Sequence, residues 1–300
     1  MKNVSFLLIS IFALFFISCN QDETNPEEGS NVIGSSTTDE GVVLNLTSTK
    51  EALYEGVNNV TFSLGNGQSL SEGGTWKITP VMEMTMDNGM KHMHSTPIKG
   101  FDIGSSNTTS GEGQILFVMP TVEMGAWELH IEYIVNDAVE AMWMMPIEVN
   151  AVTFETSEAN YKTVIMQQLD GSEERIVLGY NFLSGEPEMG ANDIEILAFK
   201  RIPAMDHMME DMDHGHHEEG HGHDFETYEP YTQLSIKTTP WMPSMSHGSS
   251  NNVDPEETEE GVYTGVVNFS MTGDWQIQLN VKDGETEIID EEGLSFYLEF

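Results

Sequence analysis

The sequence predicts an all-β protein, two tandem antiparallel β-sandwiches that follow a signal peptide and a flexible tether. Three observations lead there. Helical periodicity is nearly absent. Short runs alternating apolar and polar residues recur between clusters of Gly, Asn, Asp and Ser, the pattern of half-buried antiparallel strands. The chain also repeats itself: TWKITPVMEMTM followed by GQILFVMPTVEMGAWELHIEY answers QLSIKTTPWMPSM followed by GVYTGVVNFSMTGDWQIQLNV.

Taken in order, residues 1–19 read as a secretory leader. Lys2 gives a positive start, Val4 to Ile17 form an apolar run too short to span a bilayer comfortably, and Ser18-Cys19 closes it. Phe16-Ile17-Ser18-Cys19 resembles a bacterial lipobox, which implies lipidation of Cys19 and a lipid-anchored protein of the bacterial cell envelope. Cys19 is the single cysteine of the chain. The mature protein therefore has neither a disulfide nor a thiolate site. Residues 20–40 are rich in Asp, Glu, Ser, Thr and Gly and are expected to form a disordered tether.

The first sandwich is expected over 41–150, with strands near Val42–Leu46, Val60–Leu64, Gln114–Val118 and Trp127–Val135. The second is expected over 151–300, with strands near Ile176–Phe182 and Ile194–Phe199. The repeat matches Thr79-Pro80 to Thr239-Pro240 and Gly125-Ala126-Trp127 to Gly273-Asp274-Trp275, with Met124 and Met271 one residue out of step. Trp127, Trp143 and Trp275 read as core. So do Met142, Met144 and Met145, while His130 reads as a surface strand residue. A segment of unusual composition, 203–226, enters the second sandwich as a long insertion between two strands.

Three segments carry candidate chemistry, because thioethers, imidazoles and carboxylates are metal ligands. The first joins Met82, Met84 and Met86 to Met90, His92, Met93 and His94. Alternation puts the first three methionines on one strand face, which suits a shared soft ion and core packing equally. His92-Met93-His94 lies beside Asn88-Gly89, where packing is a poor account. The second is the insertion, with Met205, His207, Met208, His214, His216, His217, His221 and His223 among Asp and Glu. Its irregular spacing specifies no single geometry and suits a multi-site chelator of copper, zinc or nickel. The third comprises Met242, Met245 and His247, with Met271 approaching from a neighbouring strand. Pro243 should interrupt any regular central strand and display these groups on a turn. Uncharged thioethers favour Cu(I).

Pro240-Trp241-Met242-Pro243-Ser244-Met245-Ser246-His247-Gly248, with Gly261-Val262-Tyr263 and Met271-Thr272-Gly273-Asp274-Trp275, resembles the YtkA-like/FixH-like family of exported Ig-like domains. The resemblance covers 233–281 and, more loosely, 75–135. It implies copper handling, and partners among envelope copper-transport or oxidase-assembly proteins. The turn at Pro80-Val81-Met82-Glu83-Met84 departs from the family pattern, since no His-Gly follows directly.

A formal net charge of −39 argues against nucleic acid and anionic membrane surfaces. No GxSxG, P-loop, HExxH or Gly-rich dinucleotide fingerprint occurs, so the expectation is a binding protein and not an enzyme. Copper capture, buffering or delivery is the leading expectation. The alternatives are a surface interaction or adhesion module, and zinc or nickel acquisition through the insertion. Convergence of the Met/His turns at one end of a sandwich would separate ligation from partner contact.

Overall fold

The computed structural model describes residues 31–65, 67–85, 89, 91–101, 109–152, 160–167, 173–203, 226–289 and 294–300. The expectations for Cys19, Met86, Met90 and the insertion residues Met205 to His223 lie outside them. No helix occurs among the described residues.

Eleven strands belong to the N-terminal half: β1 (Asn31–Thr37), β2 (Val43–Ser48), β3 (Leu53–Tyr54), β4 (Gly56–Leu64), β5 (Thr75–Thr85), β6 (Lys91–Ser95), β7 (Ile98–Lys99), β8 (Ser110–Phe117), β9 (Gly125–Val135), β10 (Ala138–Ile147) and β11 (Val149–Asn150). One sheet runs β1-β2-β4-β8-β7 and the other β10-β9-β5-β6. Between them lies a core that includes Leu46, Phe62 and Phe117 from the first sheet and Trp76, Trp127, Ile131 and Trp143 from the second. Alternation sets the faces. In β9, Trp127, Leu129, Ile131 and Tyr133 are buried while Glu128, His130 and Glu132 are only half-buried. The β9–β10 hairpin closes on Asn136-Asp137, both at positive φ (50° and 63°), the backbone a type I′ turn requires.

The C-terminal half repeats this plan with β12 (Tyr161–Gln167), β13 (Glu173–Phe182), β14 (Gly190–Ile202), β15 (Thr227–Pro230), β16 (Leu234–Met242), β17 (His247–Gly248), β18 (Val253–Glu259), β19 (Val262–Phe269), β20 (Asp274–Asp283), β21 (Thr286–Ile289) and β22 (Ser295–Glu299). One sheet is β12-β13-β14-β19-β18 with β15 on β14; the other is β17-β16-β20-β21 with β22 also on β20. The order β4-β8-β7 corresponds to β14-β19-β18, and β9-β5-β6 to β20-β16-β17. Register agrees too, because Pro80 faces Leu129 and Pro240 faces Ile277, each two residues beyond its tryptophan. Both prolines lie one residue outside the pairing with the short edge strand, since β6 ends opposite Val81 and β17 ends opposite Trp241. A residue without an N–H is tolerated at such an edge.

Three expectations need correction. The tether does not extend to residue 40, because Asn31–Thr37 forms β1 and pairs with β2, with Ile33 packed on the core. Met142 and Met144 do not face the core. They alternate with the buried Trp143 and Met145 and are 54% and 51% exposed. Pro243 does not keep Met242 out of a strand, because β16 runs through Pro240 and Trp241 to Met242 and turns only afterwards.

The two sandwiches meet through a third apolar cluster, in which Val57 and Leu116 pack against Val177, Leu197, Phe199 and Val262. Gly179 permits the approach, since a Cβ there would lie 2.5 Å from Leu116 Cδ1 and 2.7 Å from Val57 Cγ2. Polar contacts fix the register. The buried Glu195 carboxylate accepts from Lys99 Nζ at 2.8 Å and from Gln114 Nε2 at 2.7 Å. Asn160 Oδ1 accepts the Val57 amide at 2.7 Å.

Candidate metal centres

The β5–β6 hairpin pairs Met82 with His94, Glu83 with Met93 and Met84 with His92. Directly opposed residues share a sheet face. Met82, Met84, His92 and His94 therefore line the inner face, and Met93 points the other way with Glu83, whose carboxylate takes Lys91 Nζ at 2.7 Å. Burial is graded along the row. Met82 is fully buried, Met84 and His94 are half-buried and His92 is exposed. The two imidazoles stack with centroids 6.4 Å apart. Gly125, at the start of β9, makes room for the thioethers: a Cβ there would lie 2.7 Å from Met84 Cγ and 3.2 Å from Met82 Sδ. Trp127 closes the floor, its Nε1 donating to the Met119 carbonyl at 3.2 Å. Met84 and Met119 both pack against the core while remaining partly exposed.

The same parts recur at the far end of the C-terminal sandwich. Met242 pairs with His247, and a Cβ on Gly273 would lie 2.5 Å from Met242 Cε. Trp275 Nε1 donates to the Met271 carbonyl at 2.9 Å, and the His247 ring stands edge-on to Trp275 at 5.8 Å. Phe117 and Phe269 contact their tryptophans at the same 5.2 Å. Met82, His94, Gly125, Trp127 and Met119 thus correspond one for one to Met242, His247, Gly273, Trp275 and Met271. Met245 rides the intervening turn, 59% exposed. Asp274 anchors that turn by accepting from the Ser244 amide at 3.0 Å and from its hydroxyl.

Met82 and Met242 are core side chains, fully or almost fully buried. The groups left open toward solvent are Met84, His92, His94 and Met119 in one cluster, and Met245, His247 and Met271 in the other. Met119 escapes the linear repeat, which singles out Met124. The motif Phe117-Val118-Met119 against Phe269-Ser270-Met271 carries the signal, hidden because the loop to the tryptophan is longer in the first copy.

His94 and His247 each have one ring nitrogen engaged. His94 Nδ1 lies 3.2 Å from Glu226 Oε1, and His247 Nδ1 lies 2.8 Å from the Gly248 carbonyl. That leaves Nε2 as the ring nitrogen that could coordinate an ion, the usual division of labour in a metal-binding imidazole. Glu226 itself is buried and also contacts Arg201. Burial pushes its carboxyl up, but the His94 bond and the Arg201 charge outweigh that and hold it below the ordinary carboxylate range. Among the described residues no group of three or more His, Cys, Asp or Glu is placed to hold an ion. The candidate donors gathered in the two clusters are thioether and imidazole groups.

One strand joins the two clusters. At one end of β14, Gly190 pairs with Phe269, beside Trp275. At the other, Ile202 pairs with Thr227, which follows Glu226. The strand has 13 residues, roughly 40 Å at the usual rise. Pro203 and Glu226, which flank the insertion, lie at this second end, beside the N-terminal cluster and away from His247.

Those geometries can be set against known families. The YtkA-like family model matches residues 221–280. No curated protein matches the chain. The YtkA-like segment takes in Met242, Met245, His247, Met271, Gly273 and Trp275, so the C-terminal cluster lies wholly within it. The N-terminal cluster lies outside the match, and its likeness to the YtkA-like segment rests on shared strand order and register.

Proposed function

We propose that the protein is a lipid-anchored copper-binding protein of the bacterial cell envelope, which captures and buffers Cu(I) and passes it to envelope copper-transport or oxidase-assembly partners. One observation carries this reading: half-open thioether and imidazole groups gather beside a cross-strand Met–His pair with its adjoining glycine and tryptophan, and this arrangement is built twice, at equivalent positions of two sandwiches. Soft thioethers with imidazole suit Cu(I) better than Zn(II). The YtkA-like match supports the same direction, as does the gathering of Met and His at one end of each sandwich, where partner contact would not require it. The His-rich insertion, with Cu(II), zinc or nickel also within its reach, would serve as a loose collector. The role is binding, with no catalytic step.

The two ligand types separate by protonation. Imidazoles must lose a proton to bind and titrate near pH 6.5, whereas thioethers do not titrate. The mature chain loaded anaerobically with Cu(I) should lose most ions from the insertion at pH 5 and retain those supported by Met84, Met119, Met245 and Met271. Deleting residues 205–223 should remove the acid-labile fraction alone. Equal acid loss with and without the insertion, or no Cu(I) retained after dialysis at pH 7.5, would contradict the reading.

A further inference from the structure

We propose a third Met–His centre, on the outer face of the N-terminal sandwich, in which His130, Met144 and Met142 take one soft monovalent cation. Its preference for Cu(I) rests on the reading above; its existence rests on separate residues.

Four histidines fall among the described residues, and three of them stand opposite a methionine in the clusters already described. His130 is the fourth, and β9–β10 pairing sets it directly opposite Met144. Every histidine among the described residues thus faces a methionine across a strand pair, His130 having Thr79 as its neighbour on the other side. The burial pattern adds a second argument. On β10 the core takes Ala141, Trp143, Met145 and Ile147, which leaves Met142 and Met144 side by side on the outer face with about half their surface in water. Packing within the chain does not account for two thioethers there.

The surroundings are arranged for a cation. Opposed Cβ atoms lie roughly 5 Å apart and diagonal ones 7–8 Å, which brings Met144 and then Met142 within side-chain reach of the His130 ring. His130 Nε2 lies 2.7 Å from Glu128 Oε1, which leaves Nδ1 toward an ion, as Nε2 is left in the other two centres. Glu132, opposite Met142, is already bound by Lys77 at 3.1 Å. Glu128 then supplies the one compensating charge, a match for a monovalent ion and a poor one for a divalent ion.

The test uses the full mature chain carrying 13C-methyl methionine, titrated with Ag(I) as a redox-inert counterpart of Cu(I), with signals assigned by single Met→Leu variants. The Met142 and Met144 methyl signals should shift together and saturate at one equivalent. A His130→Gln, Met144→Leu variant, altered only at partly exposed side chains, should bind one equivalent fewer. The proposal is overturned if those two methyls stay still while those of Met84 and Met271 move. Should no methionine methyl move at all, the copper reading falls with it. Movement of Met142 and Met144 alone would uphold this centre and remove the paired ones.

Discussion

His94 and Glu226 meet across the junction of the two sandwiches, with Nδ1 and Oε1 3.2 Å apart. An imidazole of the N-terminal cluster is thereby oriented by a buried carboxylate at the neck of the insertion in the other sandwich. Replacing Glu226 with Gln keeps the shape and removes the charge that fixes the ring. Loss of such a supporting group typically costs about 10–100-fold in metal affinity. Cu(I) competition with a chromogenic chelator should show a drop of that order at the His94 centre and no change at the His247 centre. An equal drop at both would contradict the assignment.

Gly125 and Gly273 should be intolerant of a methyl group for related reasons. Alanine at 125 would press on Met84 Cγ and Met82 Sδ; alanine at 273 would press on Met242 Cε and also sit at φ 134°. Overpacking of this kind costs about 1–3 kcal/mol. Each variant should melt lower and weaken Cu(I) binding in its own sandwich only, as read by Tm and by titration of the corresponding His→Gln backgrounds.

Gly179 tests the junction. Gly179→Val would force side-chain atoms into Leu116 and Val57, and relief requires the sandwiches to part. Urea unfolding of the wild type should proceed as one coupled transition and that of the variant as two. Glu195→Ala should weaken the same junction by about 1–3 kcal/mol, because it removes the bonds from Lys99 and Gln114 and leaves the Lys99 ammonium only the exposed Glu259 at 3.9 Å. A variant that melts like the wild type would show that the contact does not couple the two halves.

The turn carrying Met245 should respond to acid. The Ser244 hydroxyl bond, aided by the Ser244 amide, holds the Asp274 carboxyl below its ordinary value. Because the folded pKa lies below the unfolded one, the stabilisation is complete above about pH 4 and lost as pH falls through the folded value. The Tm difference between wild type and Asp274→Ala should stay constant from pH 5 to 8 and shrink toward zero below pH 3. A difference that grew in acid would refute the sign.

Alternation made β9 and β20 legible, because large apolar residues at every second position leave one choice of face. It could not say whether Met82 and Met84 pack or ligate. Both lie on the inner face, and only depth along the hairpin separates the buried one from the half-open one. The run Met142-Trp143-Met144-Met145 looked uniformly apolar, yet a strand cannot turn Met144 and Met145 to the same side. There the period, and not the apolar composition, decides which side chains face the core. Glu226 was beyond reach, since its partner His94 lies 132 residues away and the contact exists only after two sandwiches dock.

The length of β14 has a last consequence. About 40 Å of strand exceeds any distance over which a coordinated ion can change ligands in one step, so the clusters at its two ends would act as separate ports. Traffic between them must pass through free solution or through an encounter with another molecule, and each port should fill and empty without reference to the other.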